Sequence, residues 1–143
     1  LEESQGFLAS RWDKNGTKLY IYPGTLDCYA INNVTNDETW FYTHPDFPLV
    51  KLMGNKIQGR WKSEVRGSHA FAIWRDYVMF CGSYENKLIF PLYQLLENHE
   101  MKHIGDYQFF EQPVYIRTRG SIIIALDNTK LYKIDLRDII SNL

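Results

Sequence analysis

The sequence predicts a mainly β fold in which antiparallel hairpins form a compact barrel or sandwich, with propeller-like blades as a variant, and one short amphipathic helix. Three observations predict it. Aromatic residues (10 Tyr, 8 Phe and 4 Trp) make up 15% of the 143 residues, and aromatic and β-branched side chains suit a pleated, half-buried surface. A turn-then-strand unit recurs along the chain. Helical periodicity shows in one main segment.

The repeated units are residues 15–22, 53–57, 84–90 and 127–134, each a polar turn carrying Asn, then Lys, then apolar residues. Asn, Asp and Gly tolerate the φ > 0 positions of tight turns. The expected partner strands are residues 6–9, 49–52, 76–81 and 120–125. Segments 76–92 and 120–136 are the most alike. Their offset resembles the blade length of a β-propeller, roughly 40 to 45 residues, although a full propeller strains a chain this short. Residues 26–31 and 39–43 read as further strands, and 32–37 and 44–48 as loops rich in Asn or Pro. The helix is expected over residues 91–103, where Leu92, Leu95, Leu96 and His99 recur three and four apart. Pro91 suits its first turn and Gly105 its end. Residues 136–140 add a possible helical turn at the tail.

Length fits one domain spanning residues 1–143. Sixteen Lys and Arg against 17 Asp and Glu give a net charge of −1, which disfavours a nucleic-acid partner. The longest apolar run, residues 122–126, falls far below the roughly 20 residues of a membrane-spanning helix, so no membrane partner is expected. The chain begins at Leu1 without a charged-then-apolar leader, as expected of a processed or truncated start. Cys28 and Cys81 are either one disulfide or two thiols, too few for a disulfide scaffold. That favours an intracellular setting, while Asn-x-Thr triplets at 15–17 and 33–35 leave the compartment open.

One motif carries chemistry. His99-Glu100-Met101-Lys102-His103 matches H-E-x-x-H on the expected helix. On a helix, residues four apart share a face, so two imidazoles so placed can grip one zinc ion. The pentapeptide resembles the zinc metallopeptidases. That resemblance implies a zinc cofactor held by His99 and His103, Glu100 as general base, and Glu111 as third ligand. The alternative is a solvated helix end whose histidines complement the helix dipole.

The preferred reading is a non-catalytic binding module without a cofactor, engaging another protein through an aromatic patch or sheet edge. Trp61, between Arg60 and Lys62, is the expected exposed anchor, with Trp12 and Trp40 as further binding residues, because Trp and Arg dominate interface hot spots. Trp74, within the apolar run 70–74, is expected in the core. The alternatives are an H-E-x-x-H zinc hydrolase and a barrel enclosing an apolar small ligand.

Overall fold

The computed structural model describes residues 10–21 and 27–143. Among the described residues thirteen strands form four antiparallel sheets, and the chain visits them in order. The first sheet pairs β1 (Ser10–Trp12) with β2 (Lys18–Ile21). The second is a meander of β3 (Asp27–Asn33), β4 (Glu38–His44), β5 (Leu49–Met53) and β6 (Lys56–Trp61). The third repeats it with β7 (Phe71–Trp74), β8 (Tyr77–Phe80), β9 (Phe90–Leu95) and β10 (Met101–Tyr107). The fourth holds β11 (Tyr115–Arg119), β12 (Ile122–Leu126) and β13 (Leu131–Asp135), followed by helix α1 (Leu136–Ser141). Among the described residues no sheet closes into a barrel. The sheets stack like blades of a sandwich, and β3, β7 and β11 begin 44 residues apart, at positions 27, 71 and 115.

Burial on both faces of the two central sheets explains their apolar runs. Along β8, Val78 and Phe80 face one way, packing with Trp40, Tyr42 and Phe71 between the second and third sheets. Met79 faces the other way, packing with Leu92, Ile123 and Leu136 between the third and fourth. Phe41, Val50 and Leu52 of the second sheet's other face meet Tyr20 of the first. A strand covered on both sides needs no polar face and loses the alternation that marks a half-exposed strand.

That same burial overturns the expected helix. Residues 91–103 form most of β9 and the start of β10, joined by a turn at 96–100. Phe90 and Leu92 pack toward the fourth sheet while Tyr93 and Leu95 pack toward the second, so the period is two. A short apolar run buried on both sides cannot be told from a helix by spacing. The helix lies instead at the tail, where Leu136 is fully buried. The third hairpin is also displaced: β7 and β8 turn at Arg75 and Asp76, while residues 81–89 form a loop. Turns at Gly54–Asn55 and 127–130 fall where expected. The expected strand at 6–9 lies outside the described residues.

Asp135 caps α1 by accepting from the Arg137 amide at 3.0 Å and binds the Arg137 guanidinium at 2.6 Å. The hydrogen bond from Arg137 holds its carboxyl down at about 2. Because that value lies below the unfolded one, the contribution is full above the usual carboxylate range and fades as pH falls toward 2. Asp135→Ala is expected to cost about 1 kcal/mol at neutral pH, read from urea unfolding, and its deficit relative to wild type should shrink in acid.

Candidate functional site

The H-E-x-x-H residues do not share a helix face. His99 sits in the β9–β10 turn with φ of 66°, its amide donating to the Leu96 carbonyl. His103 lies beyond that turn on β10. Its Nε2 meets Asp106 Oδ1 at 2.8 Å. Glu100 and Glu111 are exposed, with Glu111 beyond the end of β10. Among the described residues no three His, Cys, Asp or Glu side chains gather as metal ligands do. The spacing argument for zinc therefore fails with the helix on which it depended.

The tryptophans divide by role. Trp40 is 2% exposed, a core residue with its indole donating to Glu38. That corrects its expected place in a binding patch. Trp61 is half-buried, stacked on Trp40 with centroids 5.5 Å apart, and its Nε1 donates to the Leu96 carbonyl at 3.0 Å. It ties β6 to the β9–β10 turn and is not the exposed anchor expected. Its ring occupies the space over Gly59, where a Cβ would come within 2.3 Å of it. Arg60 and Lys62 beside it are exposed. Trp12 is exposed on β1, its indole bonded to Ser10 and Lys18 above its ring. Trp74 is half-buried at the edge of the core, with Arg75 and Arg137 over its ring.

Cys28 is half-buried with its thiol donating to the Ala30 carbonyl at 3.7 Å, and Cys81 is a buried free thiol. Burial pushes the Cys81 thiol well above its ordinary range, leaving little of the thiolate that a nucleophile requires.

An exposed apolar row lies elsewhere. In the fourth sheet Tyr115 pairs with Leu126, and Leu126 with Leu131. Paired residues share a face, so the three make a row across all three strands. They are 77%, 48% and 70% exposed. The next row on that face is Arg117, Ile124 and Lys133, and the third is Arg119, Ile122 and Asp135. The opposite face carries Ile116, Ile123 and Ile134 into the core.

The turn beside this row is rigidly built. Asp127 accepts from the Thr129 and Lys130 amides and from the Tyr132 hydroxyl. Those amide bonds hold its carboxyl below the usual range. Asp135 is engaged by Arg137. Arg119 and Lys133 have no ion-pair partner among the described residues. The face is thus apolar at one end and cationic toward the other. A groove of about 990 Å³ adjoins its apolar end, lined by Phe109, Phe110, Pro113 and Tyr132 among others. Sequence reading missed Tyr115, Leu126 and Leu131. The signal available was the alternation of Tyr115, Arg117 and Arg119 with Val114, Ile116 and Thr118.

Fold and surface together define a mainly β protein of successive antiparallel meanders with an exposed apolar row on its fourth sheet. The chain belongs to the YxzG family, whose model matches residues 7–134. No curated protein matches it.

Proposed function

We propose that the chain is a non-catalytic protein-binding module that docks its partner on the outer face of β11–β13. The observation that carries this reading is the in-register exposure of Tyr115, Leu126 and Leu131. Contiguous apolar patches of this kind mark interaction sites on folded proteins, and their burial drives association. The cations fix the partner's character. Arg117, Arg119 and Lys133 sit on the face while both nearby carboxylates are occupied internally, so the complement is an apolar centre fringed by Asp or Glu. Two copies of this chain meeting face to face about a two-fold axis would oppose the same cations. A partner also meets the outer edge of β13, where the sheet stops one strand short of the two central ones.

The test uses Leu131→Asp, placed on the surface so that folding is spared, and Ile57→Asp on exposed β6 as control. A protein captured by the wild-type chain is identified, purified and titrated against each variant. Leu131→Asp should weaken binding about 100-fold, the effect of losing a central hot spot and burying a charge, while Ile57→Asp leaves it unchanged. A partner that binds Leu131→Asp as tightly as wild type, or no captured partner at all, overturns the reading.

A further inference from the structure

A cleft of about 580 Å³ opens where the loop at 81–89 and the segment before β7 face β11. Its apolar lining includes Ala70, Phe90, Phe110 and Ile116, and the buried Cys81 thiol lies among them. Its polar side chains are the cations Lys87 and Arg117 and the uncharged Ser83, Tyr84, Gln112 and Tyr115, with His69 beside them. No Asp or Glu lines it. A second hollow of about 350 Å³ shares His69, Ala70, Ile116 and Arg117 and is likewise free of carboxylates. His69 is held in place by stacking on Tyr29, with centroids 4.6 Å apart. Lys87 has no ion-pair partner among the described residues, and Arg117 donates to the carbonyl of its own neighbour Ile116.

In a chain of net charge −1, a concave apolar pocket whose formally charged lining is Lys87 and Arg117 is a complement for one class of molecule. We propose that this cleft binds a small organic anion, its apolar body against Phe90 and Phe110 and its carboxylate or sulfonate between Lys87 and Arg117. Pockets for small ligands share this construction, an apolar lining with a few placed polar groups that fix orientation. A charge-assisted contact to an ammonium or guanidinium supplies the selectivity for an anion over a neutral molecule of the same shape. The cleft shares Tyr115 and Arg117 with the outer face of β11–β13 but neither Leu126 nor Leu131, so Leu131→Asp tests the docking reading without altering this site.

The probe is 1-anilinonaphthalene-8-sulfonate, an aromatic sulfonate that fluoresces when shielded from water, with its neutral relative N-phenyl-1-naphthylamine as comparison. The folded protein should bind the sulfonate saturably, and decanoate should displace it where decanol does not. Lys87 is exposed, so Lys87→Ala should melt like wild type and bind the sulfonate about tenfold more weakly, with Lys87→Arg restoring affinity. The neutral probe should bind wild type and Lys87→Ala alike. Leu131→Asp should leave sulfonate binding unchanged. Absence of saturable binding, equal affinity in Lys87→Ala, or loss in Leu131→Asp in its place overturns the proposal.

Discussion

Asn32→Leu is expected to lower stability by about 2–5 kcal/mol, the cost of leaving two or more buried polar groups unpaired. Asn32 is fully buried on β3. Its Nδ2 donates to the carbonyls of Phe71 and Gly120, both at 2.9 Å, and its Oδ1 accepts from the Gly120 amide at 2.6 Å. One amide thus joins the first strand of the second sheet to the first strand of the third and to the β11–β12 turn. The Gly120 carbonyl also accepts from the Ile73 amide, so three sheets meet at this point. Leucine keeps the volume and removes every bond. The melting temperature should fall by roughly 10 °C, followed by circular dichroism, since each kcal/mol moves a protein near this size by about 2–4 °C. Asn32→Asp should be worse, because a carboxylate oxygen would then face the carbonyls that now receive N–H groups. A variant that melts within a degree or two of wild type would remove Asn32 from this role.

Phe80→Ala should cost about 3–5 kcal/mol, the range for emptying an aromatic site in a packed core. Phe80 has no exposed surface, and its ring lies 5.3 Å from Tyr42, 6.2 Å from Phe71 and 6.1 Å from Tyr93. The Tyr42 hydroxyl donates to the Val65 carbonyl, and desolvation pushes that phenol well above its ordinary range. Tyr42 is therefore anchored and cannot swing in to fill the space. Urea unfolding should show a lower midpoint with an unchanged slope. A loss under 1 kcal/mol would mean that the interface between the second and third sheets is not the main core.

How much of this was legible depends on which faces are covered. Turns with Asn or Gly were readable because local chain geometry fixes them: Gly54–Asn55 and the Asp127 turn fall where their residue types place them. The interval from one blade-like unit to the next was readable for the same reason. Strand β9 was not, since a third sheet lying between two others buries both Leu92 and Leu95 and erases the alternation. With that helix went the histidine pair, because spacing four apart carries meaning only on a helix. Trp40 and Trp61 were misplaced for a related reason. Composition says that a Trp can anchor a partner, but only packing reveals that Trp40 and Trp61 stack on each other. The exposed row at Tyr115, Leu126 and Leu131 required the register of three strands, which no single stretch of sequence contains.

The most direct test of the docking face places a photo-crosslinking benzoylphenylalanine at position 131, and separately at position 57, in the full chain within its native cell. The account predicts a single crosslinked partner from position 131 and none from position 57. Crosslinking from position 57 with silence at position 131 would contradict it.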